Sequence, residues 1–440
     1  MAEAKLENDK TLARKAFIFY AIGLSIYIIA TTGRTSLGVV GAEAMQRFEI
    51  TASQLAIFST IQLGVYGLSQ LPVGIAIDRF GPRWVLAVGA MILATGQFML
   101  AFAPTVGWAY TARVFVGAGD ATAFVSVLRL VASWFPPRKV PVMTQITCVG
   151  GQMGQIISAV PFLALFRLSN WHTAFSTLGG IGVLGAVLTF LTLWDEPTRK
   201  RRPYVKTSTL GADLKEVMSN PFSWMGLFTH FTMFFPLAVF TLMWGSLFMK
   251  QGMGMDDAGT SFALVLTTIA GIPAGIFIGS IVARWPLRRT YFIFTCIALT
   301  FVAWAAVLLQ STPPSPVFIY ILAIVLGASA PAANVGFDFV RTSTRPELLG
   351  TGSAFANMGG FIAAVITIQL VGYALDSHAG GAEYTYADYR FALSMQALIF
   401  VLGASLILIF RVFGIRRLKR LGEPFPLGLR RSRSLCRRDY

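Results

Sequence analysis

Acid is scarce in this chain. Asp and Glu number 20 among 440 residues against 36 Lys and Arg, and all four together make only 13%. A water-soluble chain of this length needs a polar shell, and so few charges cannot build one. Histidine and cysteine are scarcer still, at three each. His172, His230 and His378 lie far apart with no metal-ligand spacing, so neither a metal centre nor catalysis is expected. Cys148 and Cys296 fall inside apolar runs and Cys436 in a basic tail, which excludes a disulfide framework. No Gly-rich phosphate loop ending in Lys and Ser or Thr occurs, so ATP-driven pumping lacks its machinery. The opening "MAEAKLENDK" is too polar for a cleaved signal peptide.

Long apolar runs take the place of all this. We read twelve spans, roughly 16–45, 52–77, 84–103, 106–135, 140–167, 172–194, 222–249, 257–283, 290–310, 316–344, 350–375 and 389–413. Each is long enough to cross about 30 Å of hydrocarbon as a helix. The formal net charge of +16 could suggest nucleic acid, but its placement points elsewhere. With the N-terminus inside, the inner segments hold clusters such as Arg79 and Arg83, Arg199 to Arg202, and Arg284, Arg288 and Arg289. The outer loops hold little beyond Arg47, Arg167, Lys250 and Arg390. That asymmetry predicts a multi-pass membrane protein with both termini in the cytoplasm. Membrane lipid is an expected partner, and nucleic acid is not. The tail "LRRSRSLCRR" fits the same topology signal, with contact to anionic lipid as the alternative.

The chain is written twice. "GIAIDRFGPR" from Gly74 returns as "GSIVARWPLR" from Gly279, with Ala283 in place of the acid. Gly117 and Pro136 bracket the fourth span, Gly327 and Pro346 the tenth, both at a spacing of 19. Glycine pairs, Gly150–Gly151 and Gly359–Gly360, sit in the fifth and eleventh spans, where small residues let helices approach. The polar stretch Asp195 to Pro221 divides the halves. The expected domains are 1–197, a first six-helix bundle; 198–221, a cytoplasmic linker; 222–421, a second bundle; and 422–440, a basic cytoplasmic tail. Two parallel repeats of this kind are the architecture of a secondary transporter with a midplane site.

These residues carry a resemblance to a known family. Gly74, Asp78, Arg79, Gly81 and Arg83 match the loop signature Gly-x-x-x-Asp-Arg-x-Gly-x-Arg of the major facilitator superfamily, and "RVFVGAG" resembles its fourth-span signature at Arg113, Gly117 and Gly119. The resemblance covers residues 16–413. It implies an all-α membrane fold of twelve transmembrane helices in two pseudo-symmetric six-helix bundles, working by alternating access. It also implies a gating role for the loop. Asp78 would cap a helix N-terminus or meet a cation, and the arginines would hold acidic partners or lipid phosphate. "TTGRTSLGVVG" and "GFDFVRTSTRP" further resemble a bacterial branch loosely labelled nitrate/nitrite-like. True nitrate carriers place an arginine in each of the second and eighth spans, where this chain has none.

Charge inside a span is costly, so each instance needs a partner or a wet cavity. Asp120 and Asp338 are the acids well inside spans; Arg34, Arg113, Arg129 and Arg341 are the bases, with His230 as a titratable neighbour. At 1.5 Å per residue, Asp120 lies about 24 Å and Arg34 roughly 27 Å from the cytoplasmic edge, which makes an Arg34–Asp120 pair plausible by depth. Arg113 shares the Asp120 face, nearer the outside. Tyr20, Tyr27, Thr31 and Arg34 fall on one face of the first helix, a polar stripe expected to meet water or substrate, with Tyr20 alternatively an interfacial anchor. A second tier lies nearer the cytoplasm: Asn334, Asp338 and Arg341 share a face, and Asp338 pairs either with His230 or with Arg341. Arg129 is on the opposite face from Asp120 and reads as an interfacial or packing arginine.

The cavity bases suggest an anionic or zwitterionic organic solute. A carboxylate beside an arginine that the solute also seeks would load and release a proton, so proton-coupled symport is expected, with no cofactor beyond the proton gradient. Drug or metabolite efflux by proton antiport is the alternative. "GGQMGQIISAVP" departs from the Gly-Pro usual in the fifth span of drug antiporters. A transporter-like sensor is the distant alternative, and a monomer is expected.

Overall fold

The computed structural model describes residues 2–50, 52–196, 210–285, 288–379 and 384–420. Among the described residues, 12 helices are long and apolar enough to cross a membrane: Thr11–Val39, Ile57–Phe80, Pro82–Ala101, Val106–Trp134, Val140–Leu168, Trp171–Thr192, Pro221–Gly252, Ala258–Arg284, Arg289–Leu308, Pro316–Ser343, Pro346–Ala379 and Tyr386–Arg420. In that order they are the first to twelfth spans. No strand occurs among the described residues. Helix is the form that satisfies every backbone amide within its own segment, as hydrocarbon requires.

The first span stops sooner than its apolar run suggests. It ends at Val39, and Gly41–Phe48 forms a separate short helix closed by Glu49 in the left-handed conformation, φ 54°. The polar residues Glu43, Gln46 and Arg47 make that piece amphipathic. It packs by Phe48 against Trp171, ring centroids 5.6 Å apart, with Arg47 over the same ring. Of the expected linker 198–221, residues 198–209 lie outside the described residues, as does the basic tail 422–440. Leu210–Ser219 is an amphipathic helix.

Several spans depart from the regular α-helix where the sequence removes an amide or crowds the turn. Pro161 sits in a π-helical turn, Ser158–Phe162, of the fifth span. The seventh holds Pro236 followed by the π turns Phe240–Trp244 and Phe248–Gly252, and the tenth tightens to a 3-10 turn at Ala330–Asn334. Outward-facing side chains remain apolar, as Leu68, Leu184, Phe277 and Tyr373 illustrate. A face that would be a liability in water is what lipid requires.

Two compact units emerge. One comprises Met1–Val217 with Thr344–Met358, the other Met218–Ser343 with Gly359–Tyr440. In the first, the third and fourth spans touch backbone to backbone. A Cβ on Gly119 would lie 2.5 Å from both the Gly89 carbonyl and the Leu93 amide, and one on Gly117 would lie 2.7 Å from the Gln62 carbonyl of the second span. In the second unit, a Cβ on Gly327 of the tenth span would lie 2.1 Å from the Thr267 carbonyl of the eighth. The duplicated glycines thus do the same packing work in each half.

Gly119→Ala is expected to destabilise the protein by about 1–3 kcal/mol, because neither backbone can yield to the new methyl. Gly64→Ala has nothing within 4 Å of the added atom. It should be neutral or stabilising by up to about 1 kcal/mol. Denaturant unfolding of the two purified variants in detergent separates these outcomes.

Candidate functional site

The first unit brings Arg34 and Asp120 together in a two-pronged ion pair. Arg34 Nε donates to Asp120 Oδ2 at 2.6 Å and Nη2 to Oδ1 at 2.9 Å. The two ends differ in exposure. The Asp120 side chain is wholly buried, whereas the Arg34 side chain keeps 22% of its surface accessible and lies over the Tyr66 ring at 4.9 Å. A fixed guanidinium fork is the group best matched to a carboxylate, sulfonate or phosphate.

Arg113, equally on the Asp120 helix, does something else. It is 1% exposed and donates to the carbonyls of Gly33 at 3.3 Å and Arg34 at 3.2 Å. It thereby holds the backbone from which the Arg34 side chain starts, and its positive charge stands near Asp120. Gln97 of the third span donates to the same Gly33 carbonyl at 3.3 Å.

The polar stripe of the first span meets the fifth span. Thr31 is buried, bonds the carbonyls of Tyr27 and Ile28, and fills the space where a side chain on Gly154 would sit. Tyr27 packs over Gly151 and against Phe124, ring centroids 5.3 Å apart. Tyr20 is not at a lipid interface: it is buried, with its hydroxyl 3.1 Å from Thr147 Oγ1.

The sequence reading passed over a second polar row beside Arg34. Gln62, Tyr66 and Gln70 follow one another at four-residue intervals on the second span, a helical face in an otherwise apolar segment. Asn357 of the eleventh span donates Nδ2 to Gln70 Oε1 at 2.8 Å and to the Tyr66 hydroxyl at 3.3 Å. The four-residue period was the available signal; none of these side chains is charged, and attention to charge alone missed them.

The second unit resolves the Asp338 alternatives. Arg341 donates to Asp338 Oδ1 at 2.9 Å from Nη2, three residues along the same helix. His230 lies apart from that pair. Its Nδ1 accepts the Gly360 amide at 3.1 Å, and its ring stacks on Phe234 and touches Phe337. A His230–Asp338 pair does not form, because an arginine one turn away is nearer than a ring engaged with the eleventh span. Asn334 closes the 3-10 turn preceding this helix. Arg289, which looked like a loop charge, is buried and donates to the Asp338 carbonyl and to Thr342 Oγ1 at 3.1 and 3.2 Å.

The loop between the second and third spans makes two separate clasps. Asp78 accepts the backbone amides of Gly350 and Thr351, both at 2.7 Å, in the first turn of the eleventh-span helix. Those amides have no partner within their own helix, and a carboxylate there also meets the positive end of the helix dipole. Gly74 allows the contact, since a Cβ would stand 2.6 Å from that of Ala354. Arg129, bonded to Ser133 at 3.3 Å, adds positive charge near Asp78; it belongs to this cluster rather than to a plain packing face.

The second clasp joins the loop to the sixth span. Gly81 adopts φ 82°, which favours glycine, with the Asp195 carboxylate pressed against it. The Arg83 amide donates to Asp195 Oδ1 at 2.7 Å, and its guanidinium donates to the Phe190 carbonyl. Arg79 lines a small crevice with Asp78, Asp213 and Thr351. Beside it, Arg345 forks onto Glu216 of the helix Leu210–Ser219 at 2.7 and 2.6 Å, a bond that holds the guanidinium above its usual pKa.

The sequence profile of the Major Facilitator Superfamily matches residues 23–368. The chain belongs to that superfamily. It is 27% identical over 408 residues to the transporter YybO of Bacillus subtilis, covering 86% of this chain and 92% of that one. It is 21% identical over 424 residues to GarP of Escherichia coli, named a "Probable galactarate/D-glucarate transporter", covering 87% and 94%. It is 25% identical over 273 residues to the hexuronate transporter of B. subtilis, covering 60% and 63%. Among solved structures it is similar to the fucose:proton symporter FucP of E. coli, with TM-score 0.66, 15% identity, and 89% of this chain and 99% of that one covered. The fold is therefore that of a twelve-span facilitator, and this superfamily member is a multi-pass secondary transporter.

Proposed function

We propose that this superfamily member carries a small organic anion across a bacterial cytoplasmic membrane by proton-coupled symport, recognising the anionic group with Arg34. The observation that carries the reading is the asymmetry of the ion pair: a wholly buried Asp120 bound to an arginine that is still accessible. A solute carboxylate or sulfonate can take the exposed guanidinium. Asp120 then loses its paired guanidinium in a buried site, and a proton takes its place. Loading solute and proton together follows from that exchange. Tyr66, stacked on Arg34, and the neighbouring Gln70 and Asn357 offer hydroxyl and amide groups suited to a polyhydroxylated acid. Relatives named for galactarate/D-glucarate and for hexuronate support that class.

The same reading keeps both termini in the cytoplasm and a monomer as the working unit. It makes the Asp78 clasp on the eleventh span a gate that opens and closes during the cycle, with Gly74, Arg79, Gly81 and Arg83 shaping it. Asp338 and Arg341 form a structural tier in this scheme, and the Asp120 site carries the proton.

Thermal stability against a solute panel tests the proposal. The panel holds D-glucarate, galactarate, hexuronates, sulfoacetate, nitrate and lipophilic cations. Stabilisation by a sugar acid or sulfonate that disappears in Arg34→Lys is expected, since an ammonium cannot reproduce the fork. Stabilisation by lipophilic cations alone, equal in parent and variant, would replace anion symport with efflux.

A further inference from the structure

When a solute draws Arg34 from Asp120, as the exchange above requires, the buried carboxyl needs a second partner. Gln62 stands where that partner must be. The second and fourth spans come into backbone contact at Gly117 and Gln62, three residues before Asp120 on the same face. The Gln62 side chain adjoins the Asp120 carboxyl. It is 1% exposed, and neither its Nε2 nor its Oε1 has a well-formed hydrogen bond. A buried primary amide whose hydrogen bonds are so poorly made is costly and rarely retained without a role.

We infer that Gln62 keeps Asp120 hydrogen-bonded in both protonation states, an inference that rests on the proton-coupled reading above. An amide can do this, because it carries a donor and an acceptor on one rotor. With Asp120 ionised and shared with Arg34, Gln62 Nε2 donates to the carboxylate. When solute draws Arg34 away and a proton from the outer solution reaches Asp120, the new O–H donates to Gln62 Oε1. The proton leaves the carboxyl for the inner solution once Arg34 returns. Nothing else is consumed. Turning the amide about its terminal bond exchanges donor for acceptor without moving the helix.

The other groups around Asp120 do not offer this pair of functions. The first span presents Arg34 and Tyr27, the second Tyr66, and the fourth span itself Arg113. The arginines are donors only. Tyr66 is engaged by Asn357, and Tyr27 packs on Gly151 and Phe124. The third span contributes Gln97, whose Nε2 is bound to the Gly33 carbonyl. The fifth brings the Cys148 thiol, which lies beside Tyr27. Gln62 is a positioning residue for the proton, not a ligand of the solute.

Infrared difference spectroscopy of the full chain in liposomes, between neutral and acidic pH, tests this without any solute. The Arg34→Ala protein stands for the solute-engaged state, and the band of protonated Asp120 is the one lost in Arg34→Ala/Asp120→Asn. In Arg34→Ala/Gln62→Leu that band is expected to move to higher wavenumber, as for an acid that has lost its acceptor, and Gln62→Met should behave alike. Should Arg34→Ala not fold, the parent protein and Gln62→Leu at acidic pH give the same comparison. An Asp120 band that Gln62→Leu and Gln62→Met leave unmoved overturns the role of Gln62 and leaves the proton on Asp120. Absence of any Asp120-dependent band removes the proton from Asp120 and this inference with it. A purely structural Gln62 would change only the thermal stability in Gln62→Leu and leave the Asp120 band where it is, which overturns the inference.

Discussion

Arg34→Ala is expected to cost about 3–5 kcal/mol of stability and to abolish solute-driven transport, whereas Arg34→Met/Asp120→Leu should unfold close to the parent yet transport nothing. Removing one member of a buried pair strands the other. Asp120 has no exposed surface, and what remains beside it is Arg113, committed to the carbonyls of Gly33 and Arg34, and Gln62. Removing both members relieves the desolvation of two charges, and apolar side chains of similar volume fill the space. Stability and function therefore part company at this site. If the double variant were as unstable as the single one, the pair would be a structural pin and Arg34 would lose its claim to the solute. Denaturant unfolding of the three proteins, with uptake of the best solute from the panel, decides between them.

Much of this arrangement was legible in the chain itself. Bilayer thickness fixes the length of a span, so most of the twelve apolar runs could be marked within a few residues of where helices stand; the first ends early because Gly41–Phe48 turns off as its own amphipathic piece, and the twelfth runs on to Arg420. A constant rise per residue also converts position into depth, which sets Arg34 level with Asp120. Azimuth is harder. Spacing alone allowed Asp338 to reach His230 or Arg341, and the shorter path along the helix won. Thr31 and Tyr27 share a face with Arg34, but the small residues Gly151 and Gly154 bring the fifth span against it, so the stripe packs where water was expected. Uncharged polar residues gave the weakest signal. Tyr66, Gln70 and Asn357 become a unit only when the eleventh span lies on the second, and that contact is long-range in sequence. Arg289 shows the converse, a charge that topology assigned to a loop and packing buried.

Asp78→Asn should leave solute binding intact while lowering transport by about ten- to a thousandfold. The carboxylate accepts two amides at 2.7 Å from the start of the eleventh-span helix. An asparagine can accept from one of them, but turns an N–H toward the other. It also forfeits the attraction of a full negative charge for the helix N-terminus. Hydrogen bonds to a charged group contribute about 1.5–3 kcal/mol each, so losing one and weakening the other removes about 2–4 kcal/mol from whichever conformation holds the clasp. Each 1.4 kcal/mol is a factor of ten in the balance between two states. Ala354 reports on that balance, because in the clasped form it is buried against Gly74. In a protein lacking its native cysteines, Ala354→Cys should react slowly with a membrane-impermeant maleimide and much faster once Asp78→Asn is added. The second copy of the motif offers the internal control, since Ala283 already occupies the acid's place there and Ala283→Asp should leave the Ala354→Cys reactivity unchanged. Equal labelling with and without Asp78→Asn would mean that the clasp holds the fold together without biasing the cycle.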